Sequence, residues 1–230
     1  MIARFAPWIE KELKAEGRRA AEAYARAGEI AALNAIKESM YYGFLERMWT
    51  TIVPDAGTRV QEQLTKGVAD LFLQSAIEWL AAHGASKATE MWIVSRTELQ
   101  RAIFAGVREG ETRQQITARI VRARGTVAPD RALRIATTEI HAAANHGSIV
   151  AARDQGVAMT KTWRAMPGAR PTHAAASGQE VGLDEQFRVG NALLDYPGAV
   201  GPAAETINCR CIVLYAEVGT QPRWRRPRAA

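Results

Sequence analysis

The feature that most constrains the fold of this 230-residue chain is a change in apolar period at Gly156. Before it, apolar residues recur every three or four positions, which lines them along one face of an α-helix. After it they alternate, as in a strand whose side chains point to opposite faces in turn. In Val157, Met159, Lys161 and Trp163 the alternate positions are mostly apolar, with Thr160 and Thr162 between them, which predicts a strand. Ile207, Cys209, Cys211, Val213 and Tyr215 alternate with Asn208, Arg210, Ile212 and Leu214, which predicts a second, buried strand against the first. Residues 167–206 are heavy in Gly, Pro and small side chains, so irregular backbone is expected there. The expected class is α+β and predominantly helical: long N-terminal helices, then a helical bundle, then a small C-terminal antiparallel β unit with irregular loops.

Residues 7–51 are rich in Ala, Glu, Lys and Arg and hold no proline after Pro7, which favours helix at nearly every position. Ile9, Leu13, Ala20, Tyr24, Ile30, Leu33 and Ile36 form a stripe wide enough for a bundle interface, so a long helix or a broken pair is expected. Pro54 and Gly57 are expected to end it. A second apolar series (Val60, Leu64, Val68, Leu71, Phe72, Ala76, Trp79, Leu80) predicts a helix closing near His83 and Gly84, where glycine can take the left-handed cap conformation. A third helix is expected over 87–108, closed by Gly110. Thr112 and Gln115 have the spacing of a capping box, which predicts a short helix over 113–124. Pro129 suits the first turn of the next helix, over 131–154. There is no repeat at solenoid periods.

With 47% hydrophobic and 23% charged residues the chain has a globular composition, which excludes wholesale disorder. Its two cysteines, Cys209 and Cys211, are too close in sequence to staple distant parts of a fold. Residues 1–8 lack the apolar run of a signal peptide, and no stretch approaches the ~20 apolar residues of a membrane span. A soluble protein made in a reducing cytoplasm is expected. Lys and Arg number 30 against 24 Asp and Glu, a formal charge of +6, and much of the excess is local. Arg223, Trp224, Arg225, Arg226 and Arg228 set four arginines around a tryptophan with no acid among them. Such a tail can neutralise phosphates while its indole stacks, or it can be a solvated terminus kept from regular helix by Pro227. Little chain is left to bury Trp224, so the expectation is contact with a partner or nucleic acid.

The C-terminal half holds an ordered series: Thr138-Glu139, Gly147, Gly156, Lys161, Trp163, Arg170, His173, Gly178, Phe187, Pro197 and a closing Asn208-Cys209-Arg210-Cys211. Taken in order it resembles the Mu F family of phage head morphogenesis proteins. That family's pattern is a helical Thr-Glu, a Gly-x-x-x-Lys-x-Trp strand, an Arg-x-x-His loop, a glycine, a phenylalanine and a closing Asn-Cys-Arg-Cys. The resemblance covers residues 91–215 and is strongest from Arg134 onward; Asn208-Cys209-Arg210-Cys211 is its most specific piece. The loop between Trp163 and Arg170 departs from the pattern in being short and free of acidic residues.

What the resemblance implies is a minor capsid protein of a tailed phage or phage-like particle, without catalytic residues. It would associate with the portal protein and with capsid or scaffold proteins during procapsid assembly, and in some relatives with packaged double-stranded DNA. Its place would be the virion, inside the head or at the portal vertex, after synthesis in the host cytoplasm. The matching division is a helical region at 1–84 for assembly or portal contact, a Mu F-like domain at 85–217 and a basic tail at 218–230. A DNA-binding internal head protein is the alternative, followed by a metal-dependent hydrolase.

In a strand Cys209 and Cys211 share a face, and His173 can join them from a loop as zinc ligands. A structural zinc takes four ligands, so Glu139 or His141 would have to complete the set, and the usual Cys-x-x-Cys spacing is absent. The expectation is therefore no stoichiometric zinc, with the thiols packed as small apolar groups and His173 held by backbone hydrogen bonds. A hydrolase would use Glu139 as base with His173 and a metal. No second carboxylate stands at motif spacing, and Ser-His-Asp, phosphate-loop and His-Glu-x-x-His patterns are missing. Glu139 is expected instead as a buried carboxylate paired with Arg210 or Arg170, and Trp163, Phe187 and Tyr215 as core.

Overall fold

A computed structural model describes residues 1–64 and 69–220, with side chains described for 1–60 and 71–220. The basic tail at Arg223, Trp224, Arg225, Arg226 and Arg228 lies outside the described residues. The helical part comprises α1 (Ile2–Ala27), α2 (Glu29–Asn34), α3 (Glu38–Leu64), α4 (Ala69–Trp79), a π-helical turn (Leu80–Gly84), α5 (Ala85–Arg108) and α6 (Arg113–Arg153). Beyond it come β1 (Met159–Arg164), α7 (Pro171–Ala176), β2 (Glu180–Gly182), β3 (Phe187–Val189), β4 (Ala192–Leu194), α8 (Ala203–Thr206) and β5 (Ile212–Glu217). This is the expected α+β, predominantly helical class. Among the described residues, no helix is long and apolar enough to cross a membrane.

Several expected helix ends are not ends. α3 runs through Pro54 and Gly57, and α6 runs unbroken through Gly125 and Pro129. Pro129 removes one backbone donor on an exposed face, while Arg124, Ala128, Arg131 and Ala132 around it are buried; that packing outweighs a single lost bond. Gly57 serves close approach rather than a break, since a Cβ there would lie 2.4 Å from the ring of Phe72. Gly84 is not a left-handed cap: its φ is −61°, and a Cβ on it would meet the Tyr42 ring at 2.9 Å. Where the expected stops hold, glycine does turn left-handed, at Gly110 (φ 72°) and Gly156 (φ 67°). Gly28, at φ 80°, breaks the first helical stretch into α1 and α2. The capping box at the start of α6 is present, with Thr112 N donating to Gln115 Oε1 at 2.7 Å and Gln115 N to Thr112 Oγ1 at 3.3 Å.

The chain forms two compact units that are interleaved along the sequence, Met1–Arg47 with Trp79–Ala136, and Met48–Glu78 with Thr137–Ala230. The first is a helical bundle cored by Phe5, Ile9 and Leu13 of α1, Tyr41 and Phe44 of α3, Leu99 and Ile103 of α5, and Ile116 and Ile120 of α6. A polar network runs through this bundle. Glu16, fully buried, accepts hydrogen bonds from Tyr41 (2.9 Å), Ser95 (3.2 Å) and Arg124. Arg124 and Arg131 both bind Glu98, at 2.7 and 2.9 Å. Each charge therefore has a counter-charge, without which burial would be prohibitive.

The second unit carries the β structure. β1 is the centre of an antiparallel sheet of order β2-β1-β5, with Trp163 opposite Val213 and Thr162 opposite Leu214, while β3 and β4 form a separate hairpin. The expected second strand starts later than its alternation suggests, because Asn208 takes φ 58° and turns the chain before Ile212. The core beneath the sheet holds Trp163, Phe187, Val189, Leu194, Cys209, Cys211 and Val213, with Ile149 of α6 and Tyr215 against it. Trp163, Phe187 and Tyr215 thus pack as core, as expected.

Candidate functional site

The short helix α7 begins where Arg170, in an extended conformation, is followed by Pro171, whose fixed φ suits the first helical position. That start places His173 one turn on, facing inward and almost fully buried. Its ring meets Trp163 edge-to-face at a centroid distance of 5.3 Å, and Trp163 meets Phe187 likewise at 5.4 Å. Gly178, at φ 89°, lets the chain turn back so that its N–H binds the Trp163 carbonyl at 2.8 Å.

The closing Asn-Cys-Arg-Cys is held from α6. Asn208 N donates to Thr138 Oγ1 at 2.8 Å, which fixes the left-handed turn and sends Cys209 inward. Asn145, buried among alanines, donates to the carbonyls of Cys211 and Pro197, both at 3.0 Å, and accepts from Val213 N at 3.3 Å. Arg170 Nη2 donates to the Ile207 carbonyl at 2.6 Å, tying α7 to the same turn. Asn145 had no motif signal; a lone polar residue on an alanine-rich helix face is the trace it leaves in sequence.

These constraints bring His173, Cys209 and Cys211 together. Their ligand atoms lie within 4.8 Å of one another, with His173 Nδ1 3.4 Å from Cys211 Sγ and 3.6 Å from Cys209 Sγ. The other ring nitrogen, Nε2, is 3.0 Å from Glu205 Oε2, and that carboxylate accepts from Thr172 Oγ1 at 2.8 Å. The two thiols are driven in opposite directions. The hydrogen bond from Cys209 draws the Cys211 thiol down to about 4 against the opposing effect of burial, and His173 adds to the lowering. Cys209, the donor, is pushed far up by the same bond and by burial. A cavity of about 370 Å³ opens beside them, lined by Met166, Gly168, Arg170, Asn208 and Arg210 among others.

Glu139 and His141 do not join this cluster. Glu139 accepts a hydrogen bond from the Trp49 indole at 3.1 Å, and both groups are buried. Of the two arginines expected to pair with Glu139, Arg210 is exposed and Arg170 donates to the Ile207 carbonyl. Spacing could not reveal the contact with Trp49, which is 90 residues away on α3. His141 is held below its ordinary pKa by burial and then by the charge of Arg210.

The family model for phage Mu protein F like proteins matches residues 97–214, half of the chain. The chain is also 30% identical, over 129 residues, to the NAD(+)--arginine ADP-ribosyltransferase EFV of Enterococcus faecalis (strain ATCC 700802 / V583). That likeness covers 54% of this chain and 26% of the relative, so the chain spans about a quarter of that protein's length. No solved structure matches. The matched span holds every residue of the ordered series from Thr138 to Cys211 and the scaffold that fixes them, and the chain belongs to the phage Mu F-like family of head morphogenesis proteins.

Proposed function

We propose that the chain is a minor capsid protein that binds the portal protein and the inner capsid or scaffold during procapsid assembly, and stays in the virion, inside the head or at the portal vertex. The observation that carries this reading is the family match over residues 97–214. The test is to follow the tagged chain through particle maturation in infected cells. It should co-purify with portal-containing procapsids and with virions, and particles lacking it should show altered head assembly or reduced infectivity. Recovery only as free protein in host cytoplasm would overturn the reading.

The arginines at 223, 225, 226 and 228 support a second reading, contact with packaged double-stranded DNA. About four neutralised phosphates give a log-log salt slope approaching ~3.6 for duplex DNA. Truncation after Gly219 should remove that salt-dependent binding with little change in thermal stability; equal binding by both forms would make the tail a bystander. ADP-ribosyl transfer is the enzymatic alternative raised by the longer relative. Incubation with labelled NAD and arginine-rich acceptor protein is expected to leave no label on the acceptor.

A further inference from the structure

We propose that His173, Cys209 and Cys211 form a zinc site with three protein ligands, in which His173 binds through Nδ1 and Glu205 orients the ring from behind. The sulfur–nitrogen spacings match those of a tetrahedral zinc site. Zinc–sulfur bonds of about 2.3 Å and zinc–nitrogen bonds of about 2.0–2.1 Å, at tetrahedral angles, separate sulfur from nitrogen by about 3.6 Å. The two sulfur–nitrogen distances here are 3.4 and 3.6 Å, and all three ligand atoms lie within 4.8 Å of one another, close to the spacing an ion requires.

The far side of the imidazole gives independent support. A zinc-binding histidine usually donates its other ring N–H to a carboxylate, which fixes the tautomer and raises the basicity of the ligating nitrogen. Glu205 Oε2 stands 3.0 Å from Nε2, a close charge contact that is out of line for a hydrogen bond in the metal-free chain, in a largely buried position, and is itself fixed by Thr172. With the proton on Nε2, the lone pair of Nδ1 points at the two sulfurs.

No fourth Cys, His, Asp or Glu ligand joins the three among the described residues, and the cavity lined by Met166, Arg170, Asn208 and Arg210 opens on the cluster. The fourth position therefore faces solvent in the isolated chain. Three ligands with an open place are also the pattern of catalytic zinc. Here the site joins α7 to the turn before β5, and the effect assigned to it is to lock those two segments.

The experiment uses the full-length chain purified under reducing conditions without chelator. Elemental analysis should find one zinc per chain. Replacement by Co²⁺ should give intense thiolate-to-cobalt charge transfer together with tetrahedral d–d bands. Cys209→Ser and Cys211→Ser should each reduce the charge-transfer intensity, and Glu205→Gln should weaken zinc binding roughly 10–100-fold while preserving helical content. Zinc should also protect both thiols of the unaltered protein from alkylation, a readout that survives if the serine variants do not fold. The proposal fails if the reduced chain takes up no Zn²⁺ at stoichiometric concentration, if bound Co²⁺ shows no thiolate band, or if Glu205→Gln binds as tightly as the parent. None of these outcomes depends on where the protein sits in a particle.

Discussion

The indole N–H of Trp49 donates to the carboxylate of Glu139 at 3.1 Å, joining α3 to α6 inside the second unit where neither side chain meets water. Glu139→Ala leaves that indole without its acceptor and should lower stability by about 1–3 kcal/mol. Glu139→Gln, whose amide oxygen can still accept, should cost less. Arg210→Ala should stay within about 0.5 kcal/mol of the parent because Arg210 is exposed and outside this contact. Denaturant titrations check all three, and a large loss for Arg210→Ala would restore the ion pair read from the sequence.

Gly147→Ala sets helix propensity against packing. Alanine is favoured over glycine in a helix by about 1 kcal/mol. At Gly147, however, a Cβ would lie 2.5 Å from the Val53 backbone carbonyl of α3. Backbone on a packed helix cannot swing aside as a side-chain tip can, so the variant should be destabilised by roughly 1–3 kcal/mol, read as a lower melting temperature. A stabilised variant would show that the two helices separate freely there.

Glu16 and Arg124 form a buried ion pair in the first unit, and Arg124 has a second anion in Glu98. Glu16→Ala should cost about 3–5 kcal/mol by leaving a desolvated guanidinium with one of its two carboxylates. Arg124→Met combined with Glu16→Leu should recover much of that loss, since the one charge left behind, Glu98, is a third exposed and keeps Arg131 as its partner. Urea unfolding of the single and double variants separates the two cases.

Burial, and after it the charge of Glu16, raise the Tyr41 hydroxyl to about 12. The folded value lies above the ordinary value of about 10, so this contribution is whole below pH 10 and is lost as pH rises through 12. Stability should therefore fall by roughly 2–3 kcal/mol across that window on account of this group. Tyr215 is pushed upward by burial and acts in the same direction. Tyr41→Phe should flatten part of the alkaline decline while lowering neutral stability through the lost hydrogen bond to Glu16. An unchanged alkaline profile in this variant would show that Tyr41 titrates as an exposed phenol.

The helical class, the switch to strands after Gly156 and the capping box at Thr112 were legible from sequence because each depends on local periodicity or on residues a few positions apart; the pairing of β1 with β5 was expected only because both strands are buried. The ordered series through His173 and Cys211 was legible as a family pattern. Helix continuity was decided by tertiary structure: Pro54, Gly57, Gly84 and Pro129 carry local signals to stop, but the close packing of Phe72 on Gly57 and of Tyr42 on Gly84, and the burial of the residues flanking Pro129, outweigh them. The partners of buried charge were likewise decided at long range, Trp49 for Glu139 and Glu16 for Arg124, at separations where spacing carries no information. The same holds for the cysteine cluster. Sequence offered three ligand types and a strand to align them, whereas the fold uses a left-handed turn at Asn208, anchored on Thr138, to aim both thiols at one imidazole and place Glu205 behind it.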